Sequence, residues 1–413
     1  MRQFTILLLF IALSISAFSQ RRLDKQNFAE LYNINGIDLH PTFQIYHNSD
    51  TASTLFYKID NSELKYKLGK DSILTAKASI HYKVYYSYKA KHLVDSSTFI
   101  YTDSENYGLN NSSYGYINIP LKKGYQYLLY IEYKDINSDY LVKKLLDIDK
   151  TNKLSSQNFY IKAPDDLPYL RNYINKNENF IIVSERNDIA QINLHVFKPN
   201  ILIPKPPMVE DNKQIEGLRA DTLYKLNINN GISNELKLTD QGFYHFYSNS
   251  KNNEGYTVYR FTNQYPYITT PMQMIMPLRY ISSSSEFSDL YKSKNKKEAV
   301  EKFWIKISGD ENRAKSLIKL YYNRVQNANI NFTADREGWM TDRGMIYIIY
   351  GTPDVVYRDQ YMETWQYGNY KNNKAISFNF YKVNNPFSRN LYEMQRNEEY
   401  KYSWMKAVGI WRK

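Results

Sequence analysis

The sequence predicts a multidomain protein with two antiparallel β-sandwich domains followed by a C-terminal α+β domain. Short segments of alternating apolar and polar residues, separated by turn residues, fill the first two thirds of the chain, which is typical of antiparallel sheets. Helical periodicity with N-capping residues begins only after about residue 278. The length of 413 residues allows two or three domains, each with its own core.

Residues 1–19 are typical of a cleavable signal peptide. Arg2 supplies the positive charge, residues 7–18 are apolar, small or hydroxyl-bearing, and Ala17 and Ser19 precede a cut before Gln20. The apolar run is too short to cross about 30 Å of hydrocarbon as a helix. We therefore expect a mature chain without a transmembrane segment, exported to the periplasm, the outer membrane or the cell exterior.

The composition argues against several kinds of site. The chain has no cysteine, which excludes lipidation at an N-terminal cysteine, disulfides, thiolate catalysis and cysteine metal ligands. The formal net charge is +12, but the basic residues are scattered, whereas nucleic-acid sites cluster them on one face. We therefore expect no metal, no cofactor and no nucleic-acid partner.

Two β regions are predicted, at residues 20–158 and 159–277. The first should have about seven strands, at residues 43–46, 54–57, 78–86, 97–101, 114–119, 125–133 and 140–146. Strands of the second are expected at residues 180–183, 192–197, 222–228, 235–238, 243–247 and 256–261. Because polar or serine-rich linkers open easily, protease-sensitive joints are expected at residues 149–157 and 277–285.

Residues 278–413 are predicted to form the α+β domain. Ser283, Asn295 and Asp310 each precede a helical pattern as N-cap residues. A last helix is expected at residues 398–411. Short strands are expected at residues 345–350, 355–357, 364–367 and 376–383.

The densest unusual stretch of the chain is residues 338–354, which read GWMTDRGMIYIIYGTPD. These residues resemble the GWxTD-domain family, with Gly338, Trp339, Thr341 and Asp342 at the positions that name the motif. The likeness extends over about the last 130 residues of the chain. The resemblance implies an exported protein of Bacteroidetes-type bacteria with β domains ahead of the motif domain, and it implies no particular reaction.

The first interpretation of the motif is structural. Its turn-forming residues are Gly338, Thr341, Gly344, Gly351 and Pro353. Asp342 would fix its loop by accepting backbone N–H bonds, and Trp339 would fill the helical layer. Arg343 would pair with Asp354 or Glu363.

The second interpretation is a binding site in the same region. Its candidate residues are charged or aromatic and are Trp339, Asp342, Arg343, Asp354, Trp365 and Tyr367. Arg343 is expected to face a partner. All six histidines precede residue 278, so the α+β domain lacks the commonest general base and metal ligand.

These observations favour a non-catalytic envelope interaction or assembly protein that acts through its C-terminal domain on an envelope protein partner. The alternative is a periplasmic glycan-binding protein or glycan-processing enzyme that uses Asp342, Arg343 and Trp339. Glycoside hydrolysis would need two carboxylates about 5–10 Å apart, and nothing in the sequence sets that separation.

Overall fold

The structure is a computed structural model of the chain. It describes residues 22–33, 39–69, 72–104, 112–138, 140–184, 190–199, 202–210, 220–247, 254–368 and 375–412. The expected signal peptide at residues 1–19 lies outside these ranges. The predicted fold class is confirmed, because antiparallel sheets precede a C-terminal region of helices and strands.

The first β region is a sandwich of two antiparallel sheets. Its strands are β1 (Thr42–Tyr46), β2 (Ser53–Asp60), β3 (Lys67–Leu68), β4 (Leu74–Tyr85), β5 (Leu93–Asp103), β6 (Ser112–Ile119), β7 (Gln126–Asp135) and β8 (Leu141–Asp149). One sheet has the order β1-β2-β6, and the other has the order β3-β4-β7-β8, with β5 also paired to β4. Alternate side chains, among them Leu55, Ile80 and Leu129, meet in the core between the sheets.

The second β region is one continuous sheet rather than two separate ones. Its strands are β9 (Phe159–Lys162), β10 (Asn179–Ser184), β11 (Gln191–Phe197), β12 (Thr222–Asn229), β13 (Ile232–Ser233), β14 (Leu236–Lys237), β15 (Gly242–Tyr247) and β16 (Tyr256–Arg260). The order is β14-β10-β13-β12-β11-β15-β16, with β9 on β10. Phe180 of β10 and Phe246 of β15 lie in the same core. The sheet therefore folds over itself to enclose apolar residues as a sandwich would.

The C-terminal region packs six helices against a four-stranded antiparallel sheet. The helices are α1 (Pro271–Ile275), α2 (Ser284–Lys292), α3 (Lys296–Ser308), α4 (Glu311–Phe332), α5 (Asp342–Tyr350) and α6 (Tyr400–Trp411). The strands are β17 (Val355–Arg358), β18 (Met362–Tyr367), β19 (Ile376–Lys382) and β20 (Tyr392–Met394), in that order in the sheet. Ser283, Asn295 and Asp310 cap the helices α2, α3 and α4 as predicted.

Residues 345–350 were predicted to form a strand, and this is wrong because they belong to the helix α5. The run is apolar throughout and rich in isoleucine and tyrosine, so its composition is equally that of a buried strand or a buried helix. Every residue of α5 from Asp342 to Ile349 is buried. A helix buried on all sides has no polar face, and its period is therefore hidden in the sequence.

A short N-terminal segment, residues 22–33, packs on the C-terminal region. The backbone N–H of Phe28 donates to the carbonyl of Val356 in β17 at 2.8 Å. The Asn27 side chain bonds the same strand, accepting from the Val356 N–H at 2.9 Å. Phe28 and Tyr32 belong to the core shared with the helices α3 to α6. The two ends of the described chain therefore fold as one body.

Both segments expected to be protease-sensitive joints contain buried residues, while residues 283–285 are exposed. Lys150 is buried, and its Nζ donates to the carbonyl oxygens of Ser49 and Ala52, both at 2.7 Å. Pro277 and Leu278 are buried, and the Tyr321 hydroxyl donates to the Pro277 carbonyl at 2.7 Å.

No helix among the described residues is long and apolar enough to cross a membrane.

Candidate functional site

The GWxTD motif forms the start of the helix α5. Gly338–Met340 makes one 3₁₀ turn, and Thr341 is the N-cap residue of α5. Thr341 Oγ1 accepts the Gly344 N–H at 3.0 Å and donates to the Gly338 carbonyl at 2.8 Å. The hydroxyl therefore satisfies a free N–H of the first helical turn, as threonine caps do.

The motif glycines allow backbones to pack closely. A Cβ on Gly338 would lie 1.9 Å from the Ala328 carbonyl oxygen of α4, and one on Gly344 would lie 2.0 Å from the Gly338 carbonyl oxygen. Gly351 ends α5 with a positive φ of 89°, which favours glycine. Pro353 is buried directly after this turn. The structural interpretation of these positions therefore has a steric basis.

Asp342 joins the start of α5 to β20. Its Oδ2 accepts the Met394 N–H at 2.9 Å, and its Oδ1 accepts from Arg396 Nη2 at 2.7 Å. Both side chains of this ion pair are buried, at 3% and 7% exposure. The carboxylate accepts a backbone N–H bond as predicted, but from β20 rather than from its own loop.

Arg343 lies in the protein interior, with 2% of its side chain exposed. Its Nη1 contacts Glu363 Oε1 at 3.1 Å, and its Nη2 donates to the Asn390 carbonyl at 2.8 Å. The guanidinium carbon also lies 4.0 Å from the ring centre of Tyr392, within cation–π range. Glu363 is one of the two partners that the sequence offered. The structure does not present Arg343 to a partner surface.

Glu363 is the centre of a buried charge network. It is fully buried, and its Oε2 accepts from the Tyr32 hydroxyl at 2.8 Å and from Trp365 Nε1 at 3.1 Å. Arg358 Nε lies 3.4 Å from its Oε1. Burial alone would raise the pKa of this carboxyl, but Arg343 and Arg358 outweigh burial and hold the pKa below its usual value.

The network continues into the first β region. Arg358 Nη2 lies 3.7 Å from Asp147 Oδ2 on β8, and Lys382 Nζ lies 2.9 Å from the same oxygen. The Tyr88 hydroxyl donates to Asp147 Oδ1 at 3.1 Å. Burial opposes ionisation of Asp147, yet Arg358 and Lys382 leave its pKa lowered. Ion pairs join the first sandwich to the C-terminal region, and the Tyr32 hydroxyl joins the N-terminal segment to the same network.

A cavity of about 400 Å³ lies beside the motif, between the second sheet and the C-terminal helices. Phe243 of β15, Met272 of α1, Met276, Trp339 and Met340 supply much of its apolar lining. The volume is within the range of small-molecule pockets, about 300–1,000 Å³. Trp339 is thus the motif residue predicted for binding that borders open space.

The polar lining of the cavity includes Arg260 and Glu337. Arg260 ends β16 and is 2% exposed, and burial lowers the pKa of its guanidinium. The Glu337 carboxyl accepts from Trp339 Nε1 at 2.8 Å. Burial raises the pKa of Glu337 despite this hydrogen bond. The sequence signal for both residues is weak, because single charged residues near turns are common.

The six residues proposed for binding do not share one surface. Trp339 borders the cavity, whereas Asp342, Arg343, Trp365 and Tyr367 are buried in the interior. Tyr367 donates to the Gly351 carbonyl at 2.9 Å. Asp354 is exposed in the turn after α5, where its Oδ2 accepts the Gly368 N–H at 2.7 Å. The six candidate residues therefore lie in one domain but do not form one site.

The described residues hold no cluster of three histidine, aspartate or glutamate side chains that could bind a metal ion. The charged motif residues form ion pairs inside the protein: Asp342 pairs with Arg396, and Arg343 pairs with Glu363. Chemically, the arrangement around α5 can stabilise the fold, and the cavity can accept a small ligand.

This combination of antiparallel β regions, a capped central helix and a buried charge network defines a β-rich multidomain protein whose motif builds its C-terminal domain. A family model described as the GWxTD domain matches residues 242–413. Residues 242–413 therefore form a GWxTD domain. The match begins earlier than residue 278 and includes the strands β15 and β16 that border the cavity. No curated protein matches the chain.

Proposed function

We propose that this protein is a non-catalytic interaction or assembly protein of the cell envelope. Residues 1–19 direct its export, and its C-terminal GWxTD domain binds a protein partner. The observation that carries the proposal is the outer face of α6. Tyr402, Met405 and Ile410 are 80%, 59% and 63% exposed on this face. Clustered exposed apolar side chains are typical of protein-binding surfaces.

The helix α6 holds this face in a fixed position. Trp404 and Trp411 are buried on its opposite side, and Trp411 Nε1 donates to the Ile349 carbonyl of α5 at 3.1 Å. Arg412 then binds Glu286 of α2 through both terminal nitrogens, each at 2.9 Å. A surface that is rigid before binding loses little conformational entropy when a partner docks.

The glycan alternative has weaker support. A glycosidase needs two carboxylates that reach the substrate, but Asp342 and Glu363 are buried and paired with Arg396 and Arg343. Trp339 borders the cavity, so it is the one residue of that proposed patch with open space beside it.

The test is a comparison of two surface variants of the full chain, expressed with its own residues 1–19. Met405→Lys with Ile410→Lys changes the outer face of α6. The matched control, Leu223→Lys with Tyr224→Lys, changes an exposed apolar pair on β12, at 64% and 55% exposure. Each protein is cross-linked in cells, purified from envelope fractions and analysed by quantitative mass spectrometry.

We expect proteins captured by the wild type to fall at least tenfold with the α6 variant and to persist with the β12 control. Equal capture by both variants, or loss only with the β12 variant, would refute the α6 surface. Recovery of the protein from the cytoplasm with Met1 retained would refute the envelope location. Melting curves check that both variants fold.

A further inference from the structure

Arg260 is a buried cation whose partners are neutral. Its terminal nitrogens donate to the Phe261 carbonyl and, at 2.7 Å, to Asn263 Oδ1. Its Nε has no acceptor, and within the described ranges no carboxylate pairs with this guanidinium. Buried charges are normally paired with an opposite charge, because desolvation is costly. Arg260 thus contributes a positive charge without an ion pair to the lining of the cavity.

A second polar atom at the cavity also lacks a partner. Thr262 lines the cavity, and its Oγ1 is buried without a hydrogen bond. A hydroxyl without a hydrogen-bond partner is costly when it is buried. Arg260 and Thr262 are two residues apart at the end of β16. They therefore place a positive charge and a free hydroxyl on the same wall.

The acidic residues of the cavity do not cancel this preference for an anion. Asp335 is paired with Arg336, with 2.8 Å between Oδ1 and Nε. The Glu337 carboxyl accepts a hydrogen bond from Trp339 Nε1 at 2.8 Å, and burial raises the pKa of this carboxyl. Arg260 is thus a cation of this lining that forms no ion pair with the described residues.

The remaining lining selects the body of the ligand. Phe243, Met272, Met276, Trp339 and Met340 are apolar, and methionine side chains adapt to varied apolar shapes. Gln273 Oε1 is already used in the N-terminal cap of α1. A sugar would need several free hydrogen-bonding groups, whereas an alkyl or aromatic body needs none.

We propose that this cavity binds a small monocarboxylate with an apolar body, of the size and chemistry of a medium-chain fatty acid. The carboxylate lies at Arg260 and Thr262, and the apolar body lies against Trp339 and the methionines. The site is separate from the outer face of α6. Neither proposal depends on the other.

The experiment is calorimetric titration of the full mature chain at pH 7.5 with octanoate and with 1-octanol, which has the same chain length without the carboxylate. We expect octanoate to bind at least tenfold more tightly than 1-octanol. In Arg260→Gln the two ligands should bind equally, because the variant removes the charge and leaves the apolar walls. Arg260→Lys should restore part of the preference for octanoate.

Two further variants keep the test decisive. Met272→Trp fills the cavity and should abolish binding of both ligands, whereas Arg279→Gln, which removes an exposed arginine outside the cavity, should change neither. If Arg260→Gln does not fold, the comparison of the two ligands on the wild type and on Met272→Trp still decides. No binding of octanoate, equal binding of both ligands to the wild type, or binding that survives Met272→Trp would overturn the proposal.

Discussion

Asp342 and Arg343 are neighbours in sequence, but their side chains bind different parts of the fold. Asp342 contacts Arg396 and the backbone of β20, whereas Arg343 contacts Glu363 and Asn390. Consecutive residues of a helix point in directions about 100° apart, so they seldom share a partner. The acidic and basic residues of the motif therefore act as two separate anchors of α5.

Substitution of Asp342 tests the first anchor. Asparagine keeps one acceptor oxygen but places an amide group against either the Met394 N–H or Arg396, so we expect Asp342→Asn to lose about 1–3 kcal/mol of unfolding free energy. Asp342→Ala leaves Arg396 without its carboxylate and should lose about 3–5 kcal/mol. Urea unfolding measures both values. Full stability of Asp342→Ala would contradict this role.

Glu363 tests the second anchor and its pH dependence. Its pKa is lowered in the folded state, so its contribution is present above the unfolded pKa of about 4.3 and is lost as pH falls through the folded pKa. Glu363→Gln should lose about 3–5 kcal/mol at neutral pH. The loss should shrink as the pH is lowered below about 4.

The matched control for Glu363 is Glu298→Gln, which breaks an exposed ion pair with Lys302 on α3. Exposed pairs contribute little to stability, so this variant should lose far less stability than Glu363→Gln at neutral pH. Unfolding curves at pH 3 to 7 give the comparison. A constant difference between Glu363→Gln and the wild type over this range would contradict the assignment.

At the scale of elements, the position of α5 depends on close backbone packing. The Gly338 turn packs against α4, and Gly344 in the first turn of α5 packs against the Gly338 carbonyl. Thr341 joins the same two glycines through its hydroxyl. The spacing of the motif therefore follows from the structure: Gly338–Met340 form a 3₁₀ turn, Thr341 is the N-cap, and Gly344 lies in the closely packed first turn of α5.

Two glycine-to-alanine variants test this explanation. Gly344→Ala would place a Cβ 2.0 Å from a backbone oxygen, and we expect it to lose about 3 kcal/mol because the backbone must shift. Gly409→Ala on α6 meets no atom within 4 Å and should gain about 0.5–1 kcal/mol from helix propensity. Thermal unfolding separates the outcomes. Similar effects of both variants would show that crowding is not the reason for Gly344.

For the whole molecule, the N-terminal segment completes the core of the GWxTD domain. The Tyr32 ring centre lies 5.2 Å from that of Phe332 and 5.1 Å from that of Trp365. The Tyr347 hydroxyl donates to the Tyr32 carbonyl at 3.1 Å. The family match covers residues 242–413, but the folded core of that domain extends beyond it.

Removal of residues 22–33 tests this dependence. We expect a chain that begins at residue 34 to lose cooperative unfolding of the C-terminal domain, because Phe28 and Tyr32 leave an opening in its core. A chain that begins at Arg22 is the control and should unfold like the mature protein. The milder Tyr32→Phe removes the bond to Glu363 alone and should lose about 1.5–3 kcal/mol. Calorimetry of these three proteins beside the mature protein measures the effect, and an unchanged transition in the chain that begins at residue 34 would contradict it.

The sequence alone determined the properties that depend on local pattern. Alternation and turn residues located the strands of the first sandwich, and capping residues located the starts of α2, α3 and α4. These features follow from hydrogen bonding and periodicity within a few residues. The motif residues also identified the family before any fold was known.

Only the tertiary structure decided the features that depend on distant residues. Residues 345–350 belong to a helix that is buried on nearly all sides, so the sequence carries no periodic signal that separates it from a buried strand. Glu363 binds Tyr32 across 331 positions of sequence, and no local pattern encodes such a contact. Arg260 and Trp339 border one cavity for the same reason. The charged residues of the motif were candidates for ligand contacts, but they are buried and stabilise the fold, because a buried charge needs an opposite charge inside the protein.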